Sequence, residues 1–168
     1  MVFLPVIAAK QFNLIFHDPE YSLWLTFLSF SMVSAAGYIF NDLSNFDTDR
    51  ADPKRRKYKP IANGTINKQS ASFWLAVFLL GGLMIAQKNL NNQVVLWEAS
   101  YFALSMAYSL FLKKIPVLGL ALVSLGAAFR VLAGAAALEM AALPILLGLA
   151  AIINLAINFT IQAHSHRR

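Results

Sequence analysis

Polar residues punctuate this chain at a few places and leave long apolar runs between them. Tyr21 to Phe40 carries no charge and has about the 20 residues a helix needs to cross the hydrocarbon layer. A second, slightly shorter run from Ala71 to Gln87 is stopped by Lys88 and the turn-prone Asn89-Leu90-Asn91-Asn92. The third, Val94 to Leu112, is interrupted only by Glu98 and closed by Lys113-Lys114 and Pro116. Val117 to Leu138 is a fourth, carrying Arg130, and Ala142 to Ile161 a fifth, without charge. Residues 1–16 are apolar apart from Lys10, Gln11 and Asn13. They read as an N-terminal span rather than a secretory signal, because no basic region precedes the apolar stretch. The pattern predicts an all-α, polytopic transmembrane bundle of six helices. Residues 1–168 form one membrane domain, and residues 41–70 form a polar segment outside the bilayer.

Composition supports the membrane reading. Hydrophobic residues make up 58% of the chain and charged residues 13%, against roughly 25% charged in a soluble domain. Such a chain is not disordered, and without cysteine it is not a disulfide scaffold. The net charge of +6 is unevenly placed. Arg50, Lys54, Arg55, Arg56, Lys57, Lys59 and Lys68 fall between the first two charge-bounded spans, Lys113 and Lys114 in the next connection on that side, Arg167 and Arg168 in the tail. The opposite connections hold only Lys88. By the positive-inside rule this asymmetry predicts that segment 41–70, the 113–116 turn and the C-terminus are cytoplasmic.

Chemistry is concentrated directly after the run 21–40. Four of the five Asp residues, Asp42, Asp47, Asp49 and Asp52, lie within eleven positions. If the helix continues past Phe40, then Asp42, Asn45, Asp49 and Asp52 share a face, since spacings of three and four stack side chains. Asp47 points elsewhere. Clustered carboxylates repel, and a cation relieves that repulsion. Mg²⁺ takes one or two carboxylates, several waters and substrate phosphate oxygens, which suits this stripe. The basic run Lys54-Arg55-Arg56-Lys57-Tyr58-Lys59 follows at once, so carboxylates for a metal stand beside cations for phosphate oxygens. Pro60 and Gly64 bracket a turn able to fold those cations over the acidic face. The competing reading is a solvated loop whose basic cluster sets topology or meets anionic lipid. A calcium-binding EF-hand fails, because counting from Asp47 puts Asp52 at the glycine position and Tyr58 at the glutamate position. Flanking spans argue against nucleic acid as a partner.

Within the spans, Arg130 stands in an apolar helix, where a charge at the centre costs about 2.5–3.5 kcal/mol on the insertion scale. It is a candidate for substrate phosphate; the alternatives are snorkelling or a structural pair with Glu98. Glu98 and Lys10 are expected to snorkel from near helix ends. Gly126, Ala127, Ala128, Gly134 and Ala135 to Ala137 make the fourth charge-bounded span small-sided, a close-packing signal. His164 and His166 have no partners for a metal site.

Asn41-Asp42-x-x-Asn45-x-x-x-Asp49 resembles the Asn-Asp-x-x-Asp-x-x-x-Asp motif of the UbiA-type prenyltransferase superfamily. The continuation through Asp52-Pro53 to Lys59-Pro60-Ile61-Ala62-Asn63-Gly64 looks like the His-Pro…Arg-Pro-Ile-Ala-x-Gly stretch of the decaprenyl-phosphate phosphoribosyltransferase branch. Tyr108 to Lys113 and Arg130 to Ala135 are similar to later segments of that branch. The resemblance implies an all-helical membrane enzyme of about nine spans, moving phosphoribose from phosphoribosyl diphosphate to a polyprenyl phosphate with Mg²⁺. Carried over by position, Asp42 and Asp49 are the catalytic and metal-binding residues, with Asn41 supporting them and Arg55 and Lys59 holding phosphate. Asn45, Lys54, Lys113 and Arg130 complete the candidate substrate-binding set.

The departures from that pattern are specific. Asn45 replaces an Asp, Asp52 stands where His is usual, Lys59 where Arg is usual, and Gly119 where the branch commonly has Asp. The stretch from Asp49 to Pro60 is one residue longer. The chain begins after the usual Trp-x-Lys-Asn start and ends at His166-Arg167-Arg168, about three spans short of the family. The leading expectation is therefore a partial phosphoribosyltransferase. Two alternatives stand beside it: a prenyltransferase using a prenyl diphosphate and an aromatic acceptor, and a non-catalytic membrane subunit. A second polypeptide supplying the remaining helices is a further partner this leaves open.

Overall fold

The computed structural model describes residues 19–111 and 116–139, with the isolated positions Val2, Gly148, Ile152, Ile153 and Ala156. Among these residues the chain is helical without strands. The elements are α1 (Pro19–Ser44), α2 (Phe46–Ala51), α3 (Pro53–Tyr58), α4 (Lys68–Asn89), α5 (Asn92–Leu110) and α6 (Pro116–Ala137). The four long helices match the apolar runs 21–40, 71–87, 94–112 and 117–138 of the sequence. The spans expected at 1–16 and 142–161 fall outside the continuously described residues. By length and composition, Glu20–Ser44 and Lys68–Asn89 are long and apolar enough to cross a membrane.

Side-chain amides set the helix boundaries. Asn67 caps α4 by accepting from the Ser70 N–H at 2.7 Å, and Asn91 caps α5 by accepting from the Val94 N–H at 3.0 Å. Each cap satisfies a backbone donor that a helix start otherwise leaves without a partner. The predicted turn after Lys88 is present at Leu90–Asn91. Asn91 also donates its Nδ2 to the Ala136 carbonyl at 2.7 Å, tying this turn to the end of α6.

The helices alternate in direction. Trp97 packs on Phe129 and Tyr101 lies against Gly126, so α5 and α6 are antiparallel. α1 and α4 are antiparallel too, with Gly82 against Ser29 and Val33 and Lys68 over the Phe46 ring. α1 and α5 run parallel in a constant register. Ser29 meets Glu98, Gly37 meets Ser105, and Asn41 meets Ser109. The buried side chains Phe30, Val33, Ala86, Val94, Tyr101, Ala133 and Ala136 form the core between the four helices.

Polar groups line the α1–α5 seam. The buried polar side chains among the described residues are Thr26, Ser29, Ser34, Asp49, Glu98 and Ser109, and all but Asp49 belong to these two helices. Where lipid replaces water, apolar burial no longer drives helices together, and hydrogen bonds contribute an average of about 0.6 kcal/mol each. The seam corrects the reading of Glu98. It does not snorkel: it is fully buried, accepts from the Ser29 hydroxyl at 2.5 Å, and its other oxygen has no hydrogen-bond partner. Counting from the span's end hid this, because α5 begins at Asn92 and turns Glu98 inward, toward α1.

Close approach on the other side of α1 depends on one glycine. A Cβ at Gly82 would lie 2.7 Å from the Ser29 carbonyl oxygen and 2.8 Å from Val33 Cγ2, whereas one at Gly81 would meet only the flexible Met32 Cε. Gly82→Ala is expected to cost about 1–3 kcal/mol by overpacking. Gly81→Ala is expected to be near neutral, since Met32 can swing aside. Thermal unfolding of the two variants in the same detergent checks this; equal midpoints would contradict it.

Candidate active site

Past Phe40 the helix persists for one turn and then breaks twice. Asn45 forms the first break, yet the Asn45 N–H still bonds the Asn41 carbonyl at 3.0 Å and the Asp49 N–H the Asn45 carbonyl at 2.9 Å. The path from Asp42 to Asp49 therefore stays close to helical. The second break, at Asp52, follows from Pro53, which disfavours the helical conformation in the residue before it and suits the first position of a new helix. Asp52 caps α3, accepting from the N–H groups of Lys54 (2.9 Å) and Arg55 (3.4 Å). The predicted stripe of Asp42, Asn45, Asp49 and Asp52 is thus shortened: Asp52 serves as a cap instead.

The break at Asp52 turns the chain so that α3 lies back over α2 and the end of α1, and a tight turn follows over residues 60–66. Gly64 adopts a left-handed conformation, φ 86°, which a residue without Cβ takes at little cost. The Ile66 N–H closes the turn onto the Pro60 carbonyl at 3.0 Å, and Ile61 and Ala62 are buried beneath it. Lys59 Nζ lies 2.5 Å from Asp42 Oδ1, and Arg55 Nη1 3.5 Å from Asp49 Oδ1. Arg55 Nε also lies 3.5 Å from Asp52 Oδ2. The basic segment pairs with the acidic one in antiparallel order, so the cations lie over the acidic face.

Exposure distinguishes the partners. Asp49 is buried, 5% exposed at its side chain, while its partner Arg55 is 65% exposed. Asp42 and Lys59 are partly covered. Arg55 is the more exposed of the two cations and so the freer to turn into solvent, whereas Lys59 is held in a partly covered pair. Asn41 sits behind Asp42, its Oδ1 accepting from Asn45 Nδ2 (3.0 Å) and from the Ser109 hydroxyl of α5 (3.2 Å). Lys54 is exposed beside the cluster, and Asp47 is exposed away from it. Lys113 lies outside the described residues.

Arg130 is found deeper, on α6. Its Nη1 donates to the Gly126 carbonyl (3.1 Å), and Nη2 donates to Ser34 Oγ (3.4 Å) and Tyr101 Oη (3.3 Å). The guanidinium also lies 5.3 Å from the Phe30 ring centroid and 5.1 Å from that of Tyr101. The structural pair with Glu98 is not formed. Ser34, Tyr101 and Ser109, which position Arg130 and Asn41, escaped the sequence reading. Their signal was there: Glu98, Tyr101, Ser105 and Ser109 repeat at spacings of three and four on α5, a polar stripe on an otherwise apolar helix.

Among the described residues no group of three or more His, Asp or Glu gathers to hold a metal alone. Asp42 and Asp49, about two helical turns apart, could each give one carboxylate to an Mg²⁺ whose shell phosphate oxygens and water complete. With cations alongside, this donor set fits a metal arriving with a diphosphate.

Comparison with known proteins decides the family. The model of the UbiA prenyltransferase family matches residues 2–168. The chain belongs to that family. It is therefore a helical integral membrane protein, of the kind its apolar runs predict. Uncharacterized protein y4nM of Sinorhizobium fredii is 32% identical over 64% of this chain and 20% of its own length. Decaprenyl-phosphate phosphoribosyltransferase of Mycolicibacterium smegmatis is 31% identical over 69% of this chain and 36% of its own length. Nodulation protein NoeC of Azorhizobium caulinodans is 29% identical over 82% of this chain and 43% of its own length. The chain thus spans less than half the length of these relatives. As a UbiA-family member it shares a membrane fold with proteins acting on prenyl-phosphate lipids.

Proposed function

We propose that this chain carries the diphosphate-binding part of a membrane phosphoribosyltransferase whose acceptor is a polyprenyl phosphate. The supporting observation is the pairing of Asp42 with Lys59 and of Asp49 with Arg55 at the mouth of the α1–α5 seam. Two carboxylates and two exchangeable cations can separate around a metal–diphosphate, the cations turning from carboxylate to phosphate oxygens. The donor's name comes from likeness to the M. smegmatis relative and from the Pro60-Ile61-Ala62-x-Gly64 continuation.

In this reading Asp42 and Asp49 would hold Mg²⁺, which would supply positive charge against a departing diphosphate. Arg55 offers a planar fork and Lys59 a point charge to the same oxygens as the bond from ribose C1 to diphosphate breaks. An oxygen of the lipid phosphate forms the new bond to C1. Asn41, fixed by Asn45 and Ser109, holds the end of α1 in place. The concentration of Arg50 to Lys59 and Lys68 at this end supports a cytoplasmic orientation for the site.

The test is transfer of label from phosphoribosyl diphosphate to polyprenyl phosphate in membranes containing the full chain and Mg²⁺. Lipid-linked ribose phosphate that disappears in Asp42→Ala is the expected result. Product from a prenyl diphosphate and an aromatic acceptor instead would favour a prenyltransferase. Diphosphate binding without product from either donor would identify a non-catalytic subunit, or one that needs a second polypeptide.

A further inference from the structure

The acidic motif does not end on α1. Asp49, its buried carboxylate, belongs to α2, six residues set off by the breaks at Asn45 and Asp52. Six residues make fewer than two turns, too few to hold a helix unaided, so contacts with other elements fix where Asp49 points. Arg55 of α3 supplies one of them, 3.5 Å from Asp49 Oδ1. A second starts at Phe46, one turn before Asp49 on the same face. The Nζ of Lys68, the first residue of α4, lies 3.6 Å from the centre of the Phe46 ring, and Arg50 Cζ lies 5.5 Å from it. Both fall within the roughly 6 Å reach of a cation–π contact. Arg50 comes from α2 itself, whereas Lys68 comes from a long helix packed on α1.

Local rules alone would not put a lysine there. The start of a helix carries partial positive charge, which disfavours a cation in the first turn, and α4 opens with Lys68. The negative face of the Phe46 ring offsets this. The contact also joins the two ends of the segment between α1 and α4, closing at its base the cap that carries Asp49, Arg55 and Lys59. The two fastenings of α2 differ in what substrate does to them. In the proposed function Arg55 leaves Asp49 for phosphate oxygens, and its pair opens. Lys68 sits on an uncharged ring, which that step leaves in place. We propose that the Lys68–Phe46 contact holds α2 while Arg55 is away, which makes Lys68 and Phe46 positioning residues for the Asp49 carboxylate. The exchange with Arg55 rests on the transferase reading; the fastening itself does not.

The experiment follows amide hydrogen exchange over residues 46–51 and equilibrium binding of inorganic diphosphate with Mg²⁺, both on the full chain in nanodiscs. Lys68 is exposed, so Lys68→Met removes the charge without disturbing a core. It is expected to speed exchange over 46–51 by about two- to fivefold, the worth of an exposed cation–π contact, and to weaken diphosphate by a similar factor. Phe46→Leu, which keeps an apolar side chain and the same net charge but has no ring, is expected to do the same. Lys68→Arg and Phe46→Tyr, which keep cation and ring, are expected to restore both readouts. Lys68→Met and Phe46→Leu together should lose no more than either alone, because they remove one contact. Exchange unchanged in Lys68→Met, or losses that simply add in the double variant, would overturn the fastening. Faster exchange with undiminished diphosphate binding would overturn its role in positioning Asp49. In an Arg55→Gln background the effect of Lys68→Met on exchange should grow, and an effect no larger there would overturn the claim that Lys68 holds α2 when Arg55 leaves. If the unaltered chain binds no diphosphate, the proposed function fails, and exchange alone still judges the fastening.

Discussion

Replacing Asp49 with asparagine is expected to lower label transfer by about 10²–10³-fold, the scale seen when one preorganised electrostatic contact to a developing charge is lost. Asp49 is the most buried carboxylate of the cluster, and its ion-pair partner Arg55 projects into solvent. The amide has nearly the same shape, so packing around position 49 survives, but its oxygen no longer brings a full negative charge. Arg55 then stays free to bind phosphate, and weak diphosphate binding can persist while turnover fails. Asp47→Asn is the matched control: Asp47 has the same chemistry two residues away but is exposed, away from the cluster. Transfer within about twofold of the unaltered chain is expected there, as for surface substitutions far from special features. Equal losses at 47 and 49 would mean that general charge at the membrane face matters, and the proposed site would fail.

The second large effect is expected from inverting a pair. Lys59→Glu sets two carboxylates side by side at the position where the structure has a 2.5 Å contact, and like charges so close cannot both remain ionised comfortably. The turn from Pro60 to Ile66 should loosen, because Lys59 anchors its first residue to the end of α1. Diphosphate binding should fall roughly a hundredfold, from losing a favourable charge and gaining a repulsive one. Combining Lys59→Glu with Asp42→Lys restores opposite charges across the same gap. The double variant is expected to recover resistance to proteolysis at the 59–66 turn and to remain inactive. That split separates a pair that merely fastens the turn from one that also handles substrate. Recovery of transfer in the double variant would show that only the fastening matters.

Some of the site was open to reading along the chain. The spacing of Asn41, Asp42, Asn45 and Asp49, the basic run after it and the Pro60–Gly64 bracket are local patterns, and local patterns survive folding when helices and turns obey their own propensities. Asp52 shows the limit of that reading. Helical spacing alone put it on the acidic stripe, while the proline after it ended the helix and made it a cap. Both signals were in the sequence, and the one acting on backbone geometry won.

Glu98 and Arg130 show what no single helix could disclose. Each is an isolated charge in an apolar run: distance from the helix end points Glu98 to snorkelling, and Arg130 is open to substrate phosphate, snorkelling or a pair with Glu98. Register between helices decides among these. Because α1 and α5 lie parallel at a constant offset, Ser29 takes Glu98, while Ser34 and Tyr101 take Arg130. The sequence by itself determined a helical membrane protein with a charged motif at one end of its spans, since hydrophobic length and the spacing of charges are properties of the chain. Tertiary structure alone decided which polar side chains meet across the seam. That choice depends on how far one helix slides and turns against another, set by contacts between residues some seventy positions apart, such as Asn41 with Ser109.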